Sequence, residues 1–247
     1  MWQSIIKIQK PNSLQDALGL VDNNAAFLSG GSYLILEKNP DISTLIDINS
    51  LLSSEIVQDG DDITIGAKTS LQELADCQPG IVSDCIRWSC FSKNIRNQRT
   101  IGGEIGRRRV DSEIYSLLYT MDVQLEVFNG EMAETTIRQF DGIGIITRLI
   151  LKRSIIDNSL VKRFALLRSA PAFLITTSTK SQESVSFSIG GKVNKIFNHS
   201  ISNPHSASSI DNIIGISSSH FLDDHYGSRE YKKALLKTAL KRLVEGR

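Results

Sequence analysis

An α+β fold in three parts is what this sequence predicts, and three observations predict it. The apolar run Ala25 to Leu28 stops at a double glycine and passes into helical-looking YLILEK, and the buried run TLIDI closes that unit. A second alternation of strand-like and helix-like segments runs from ITIGA to GIITRLILK. Past about residue 155 the character changes to polar, Ser/Thr-rich strands such as SVSFSIGGK, and the chain ends in a helix with a basic face. The boundaries expected are 1–55, 56–155 and 156–247.

In the first part, Ile5 to Ile8 is β-prone, Pro11 marks a helix entry, and Ser13 with Asp16 has capping-box spacing ahead of LQDALGLV. In the second, Ser70 and Glu73 signal another helix start, and a further helix is expected from Ile81 to about Phe91, after Pro79-Gly80. NIRNQRTIGGEIGRRR carries a second double glycine, read as a turn at Thr100-Ile101-Gly102-Gly103, and IYSLLYTMD reads as helix. VQLEVFNGE runs with period two into Asn129-Gly130, a strong hairpin signal. In the third part, Asn198 to Ser219 reads as a loose polar stretch, and SREYKKALLKTALKRLVEGR as the closing helix.

Composition excludes some function classes. With 28 Lys+Arg against 27 Asp+Glu the net charge is +1, which gives no broad basic surface for nucleic acid or anionic lipid. No run of about 18 apolar residues and no leader-like stretch occurs, so neither a membrane partner nor a secretory route is expected, and the location expected is cytoplasmic. Cys77, Cys85 and Cys90 lack CxxC spacing and are expected as buried free thiols, with no disulfide framework or metal site. His199, His205, His220 and His225, with Asp223 and Asp224 nearby, match no zinc spacing and read as solvated loop residues. Trp88 and Phe91 read as core residues of their helix, and no Ser/His/Asp or Cys/His constellation supplies a catalytic residue.

The two double glycines carry the functional signal. Glycine lets ligand oxygens approach the backbone, and successive N–H groups form an anion nest, so two such segments could grip one diphosphate. Either alone is also an ordinary turn, and neither fits GxGxxG or the Walker pattern. Arg107, Arg108 and Arg109 could serve cofactor phosphates, a pyridine nucleotide or an acidic partner, or form a solvated charge run.

FLSGGSYLILEK, TLIDINSL, ITIGAKTSLQEL, NIRNQRTIGGEI and GIITRLIL, in that order and spacing, resemble the FAD-binding subunits of molybdenum hydroxylases, the flavin subunits of xanthine, carbon monoxide and aldehyde dehydrogenases. The resemblance runs from about residue 5 to 175 and resumes weakly in the C-terminal helix. It implies a PCMH-like fold of the vanillyl-alcohol-oxidase type: two α/β subdomains holding FAD, then a C-terminal α+β domain resembling that of carbon monoxide dehydrogenase flavoproteins. The FAD residues it implies are Phe27, Leu28, Ser29, Gly30, Gly31, Ser32, Tyr33 and Leu34 in the first segment, and Thr100, Ile101, Gly102, Gly103 and Glu104 in the second. It further implies Glu113 for sugar hydroxyls, Ile146 against the flavin ring and, near it, the family's lysine at Lys162 or Arg163. Such a subunit takes electrons from an iron–sulfur subunit, hands them to NAD+ or another acceptor, and leaves substrate oxidation to a molybdopterin-binding subunit. Glu104 and the three arginines depart from the family pattern and leave open an alternative, a structural or assembly subunit without flavin.

Overall fold

The computed structural model describes residues 2–202 and 207–246. His205 lies outside them. The described chain forms two units that interleave in sequence: the first is Met1–Cys77, Ser92–Arg107 and Val123–Leu151, and the second is Gln78–Phe91, Arg108–Asp122 and Lys152–Arg247.

The chain opens with β1 (Lys7–Gln9), α1 (Leu14–Gly19), β2 (Ala25–Leu28), α2 (Ser32–Glu37) and β3 (Thr44–Asp47). Ser13 caps α1 by accepting from the Asp16 N–H. The three strands form a parallel sheet in the order β1-β3-β2, with Leu28 opposite Asp47. β1 is a short edge strand flanked by Ile6, which is 86% exposed.

β4 (Ile56–Asp59) and β5 (Asp62–Gly66) follow as a hairpin, then α3 (Leu71–Cys77). The predicted capping box is formed reciprocally: Ser70 N–H donates to Glu73 Oε2 at 2.8 Å, and Glu73 N–H donates to Ser70 Oγ at 3.1 Å. Next come α4 (Ile81–Ser89), α5 (Lys93–Gln98), α6 (Ile101–Arg107) and α7 (Glu113–Met121). Here the sequence reading needs correction. Residues 101–103 form the first turn of α6 and not a free turn, because neither Gly102 nor Gly103 adopts positive φ and tertiary hydrogen bonds outweigh glycine's poor helix propensity. α4 ends two residues early, so Phe91 leaves the helical stripe and is 42% exposed, while Trp88 is half-buried.

β6 (Gln124–Phe128) and β7 (Met132–Thr136) form the predicted hairpin, with Gly130 at φ +87°. β8 (Ile145–Lys152) pairs with β6, completing a five-stranded sheet ordered β4-β5-β8-β6-β7.

In the second unit, α8 (Arg153–Asp157) leads into β9 (Ser159–Phe164), β10 (Leu174–Lys180), β11 (Val185–Gly191) and β12 (Phe197–Ile201), an antiparallel sheet in the order β12-β11-β10-β9. α9 (Ala207–Ser218) and α10 (Arg229–Val244) supply Ile210, Ile213, Ile214, Leu236, Leu240 and Leu243 to a core shared with Leu174, Val185, Phe187 and Ile189 of the sheet. The stretch read as loose therefore contains a strand and a 12-residue helix. His199 sits half-buried in β12 and not in a loop, and burial lowers its pKa. The alternate face of β10 and β11 carries Thr177, Ser188 and Gly190 and meets α7, where Thr120 and Thr177 hydroxyls both donate to the Ser116 carbonyl oxygen.

α7 and β9 are tied by a buried ion pair. Arg163 Nε donates to Glu113 Oε1 at 2.8 Å, Nη1 to the Arg168 carbonyl at 3.1 Å and Nη2 to the Ala170 carbonyl at 2.7 Å. Cys85 is wholly buried in α4, and its thiol pKa is pushed well above the ordinary value by burial first, then by Glu113 and Asp84, with Arg163 opposing. Cys90 is buried too, but Cys77 is exposed at the end of α3, against the sequence expectation.

The buried pair and the cysteines each give a prediction. Arg163→Met leaves the Glu113 carboxylate buried without its cation and destabilises the unit by about 3–5 kcal/mol, read by urea unfolding. Adding Glu113→Gln to that variant recovers part of the loss. In a thiol titration near pH 8, Cys77 reacts fast and Cys85 reacts only on unfolding, because the thiolate is the nucleophile.

Candidate functional site

A cavity of about 290 Å³ opens within the first unit, near the low end for small-molecule pockets. Its walls come from both glycine segments, from Ile48 and Leu52 after β3, from Ala67, and from Phe140, Gly142, Gly144, Ile145 and Ile146 at the start of β8.

Close backbone packing builds the junction of the two segments. A Cβ on Gly30 would overlap the Gln98 carbonyl oxygen and stand 3.2 Å from Arg99 Cα. One on Gly102 would stand 2.7 Å from Ala67 Cβ. Ser29 Oγ and Thr100 Oγ1 are 3.3 Å apart, and Asn49 Nδ2 donates to the Ser29 carbonyl oxygen.

The two segments differ in what they offer a ligand. In the second, the Ile101 N–H donates to Thr69 O, Gly102 to Ala67 O, Gly103 to Thr100 Oγ1 and Glu104 to Thr100 O. These donors are spent inside the protein, so the second nest inferred from the sequence is not formed. In the first, Gly31 is left-handed at φ +67°, and among the described residues the N–H groups of Gly30, Gly31 and Ser32 donate no hydrogen bond to the chain. That arrangement is an anion nest on the pocket wall.

The remaining site residues of the sequence reading fall in several places. Phe27, Ser29, Gly30, Gly31, Ser32, Tyr33, Leu34, Thr100, Gly102, Gly103 and Ile146 all line the cavity. Leu28 packs behind it, with Cδ1 2.9 Å from where a Gly31 Cβ would be, and Ile101 and Glu104 are fully buried in α6. Glu113 and Lys162 belong to the second unit: Glu113 is buried against Arg163, and Lys162 is half-buried in β9.

Of the three arginines, Arg107 lines the pocket and pairs with Glu37 across its rim, Arg109 pairs with Asp111 at 3.0 Å, and Arg108 lies near Tyr115, whose pKa is raised by burial. They are not a uniformly solvated run. Sequence reasoning did not single out Arg99, Phe140, Gly142 or Gly144, although Gly142 just before GIITRL and Gly144 at its start are the same kind of signal as the pairs it noticed.

The pocket therefore fits a dinucleotide's diphosphate at one end: unspent N–H donors, a glycine with no side chain at Gly103, and an arginine sit together, while Phe27, Ile48, Leu52 and Ile146 offer an apolar surface to a ring system. Among the described residues no helix is long and apolar enough to cross a membrane, and no group of three metal-ligating side chains gathers.

Known proteins bear on this arrangement. The chain is 31% identical over 128 residues to Uncharacterized protein YgfM of Escherichia coli (strain K12), and equally to its counterpart in strain O157:H7. The chain spans about half the length of these relatives, 49% of each. Among solved structures it is similar to quinoline 2-oxidoreductase from Pseudomonas putida 86, at TM-score 0.76 and 16% identity over 98% of this chain and 96% of that one. It is similar also to a carbon monoxide dehydrogenase from Hydrogenophaga pseudoflava, at TM-score 0.76 and 14% identity over 96% and 95%. A reconstituted CO dehydrogenase from Oligotropha carboxidovorans gives TM-score 0.75 and 17% identity over 97% and 96%. The fold is the α+β PCMH-like FAD-binding fold. Residues 4–141, more than half of the chain, match the family described as FAD binding domain in molybdopterin dehydrogenase, and the chain belongs to that family.

Proposed function

We propose that this chain binds FAD non-covalently in the pocket of its first unit and serves as the electron-transfer subunit of a molybdenum-containing hydroxylase of the xanthine dehydrogenase type. The observation that carries the reading is the open nest at Gly30, Gly31 and Ser32 beside an apolar wall. In this reading the nest N–H groups hold diphosphate oxygens, Gly103 leaves the approach clear, and Ile146 with its neighbours covers the flavin ring from water. Bound FAD would supply the redox chemistry, taking electrons singly and releasing them in pairs, while the chain binds and orients it. An iron–sulfur subunit is the electron donor proposed, NAD+ or another small acceptor takes the electrons, and a molybdopterin-binding subunit oxidises the substrate.

The second reading, a flavin-free assembly subunit, has one observation in its favour: in the second glycine segment the N–H groups of Ile101, Gly102, Gly103 and Glu104 are spent inside the protein. A visible spectrum decides between them. Purified protein, as isolated or after titration with FAD, shows flavin absorption under the first reading and none under the second.

Acid precipitation releases the flavin into the supernatant, since among the described residues no Cys or His lines the pocket to attach it. Gly103→Val lowers FAD affinity at least about tenfold with little change in melting temperature. A Cβ there stands 2.9 Å from the Thr100 hydroxyl, which must shift slightly, and Gly103 lines the pocket, so the branched side chain takes space the ligand would need. Unchanged affinity in the folded variant moves the diphosphate elsewhere.

The isolated chain is inert toward purines and aldehydes yet its flavin is bleached by dithionite. Adding the iron–sulfur and molybdenum subunits from the same source makes that bleaching depend on substrate, as followed by stopped-flow absorbance.

A further inference from the structure

Arg99 is 8% exposed and lines the cavity, yet it is sparsely satisfied for a buried guanidinium. Its Nε donates to Ser32 Oγ at 3.3 Å, and its guanidinium carbon lies 4.2 Å from the centroid of the Tyr33 ring. Nη1 stands 3.7 Å from Glu104 Oε2, near enough for charge attraction but longer than a hydrogen bond. Among the described residues the guanidinium makes only the one hydrogen bond, from Nε, out of the five that its N–H groups can donate. The unspent Nη donors are not sealed inside the protein but accessible at the cavity that Arg99 lines, where a ligand can take them.

Position tells which ligand. The Arg99 Cα lies 3.2 Å from where a Gly30 Cβ would be, and its side chain is bonded to Ser32, so the fork stands beside the three open N–H groups of the nest. Ser32 and Tyr33 hold the guanidinium plane, and wholly buried Glu104 supplies a counter-charge that keeps the arginine in the interior before any ligand arrives. A planar fork with spare donors next to open backbone amides matches a phosphate's oxygens.

We infer that Arg99 is a phosphate-binding and specificity-determining residue: its free N–H groups donate to the FAD diphosphate and make the pocket prefer FAD to flavins without a diphosphate. This rests on the FAD reading of the pocket. Glu104 acts through Arg99 as a positioning residue.

The test titrates the full chain and its Arg99→Met and Arg99→Lys variants with FAD and with riboflavin, following flavin fluorescence, and checks each fold by thermal melting. Arg99→Met is expected to weaken FAD by about 10- to 100-fold, the range for a hydrogen bond to a charged group, and to leave riboflavin affinity unchanged. Arg99→Lys, which keeps the charge but loses the fork, falls between. Unchanged FAD affinity in either folded variant, or parallel loss of FAD and riboflavin, overturns the inference and makes Arg99 structural. If Arg99→Met fails to fold, Arg99→Lys decides alone by the same comparison of FAD with riboflavin. Failure of the unaltered chain to bind FAD removes the FAD reading itself, and this inference with it.

Discussion

The first unit depends on a backbone contact that tolerates no side chain. Gly30 sits against the Gln98 carbonyl and Arg99, two chain segments separated by nearly seventy residues, and Gly102 repeats the device against Ala67. Through these contacts the loop after β2 and the start of α6 share one pocket wall. The site is made of main chain held at van der Waals distance, and the side chains that matter most are those that keep the main chain there. Ser29 and Thr100 meet across the junction, and Asn49 fixes the Ser29 carbonyl.

That construction explains an asymmetry between the two glycine pairs. They look alike in sequence, but one pair lines the cavity with its N–H groups unspent and the other spends them on Thr69, Ala67 and Thr100. Gly102 is small so that α6 can dock, whereas Gly30 docks closely and Gly31 makes a left-handed turn, and their amides stay unspent.

Much of the fold was legible because local rules and tertiary structure agree in it. The strand 25–28, the capping box at Ser70 and Glu73, and the hairpin at Asn129-Gly130 stand where their residues put them. Agreement fails in α9, whose Ile210, Ile213 and Ile214 lie in a Ser- and Asn-rich setting that hides the helical stripe. It fails also for α6, where two glycines near the start read as a turn until long-range hydrogen bonds are counted. Arg99 was illegible for a related reason. Its meaning comes from Ser32 and Tyr33, far off in the chain, and nothing beside it announces that contact.

The polar layer between α7 and its sheet has a mechanical side. Apolar contacts are non-directional, so a helix resting on aliphatic side chains alone can slide with modest loss. Thr120 and Thr177 instead converge on one carbonyl oxygen, that of Ser116, and Gly190 lies so close to the helix that a Cβ there would stand 2.8 Å from Ser116 Oγ. Sliding α7 by one turn would take the Ser116 carbonyl away from the Thr177 hydroxyl, at about 1–3 kcal/mol, while the Thr120 bond, internal to α7, travels with the helix. The layer behaves as a detent, which holds the helix at one notch while the aliphatic face on the other side of the sheet provides the adhesion.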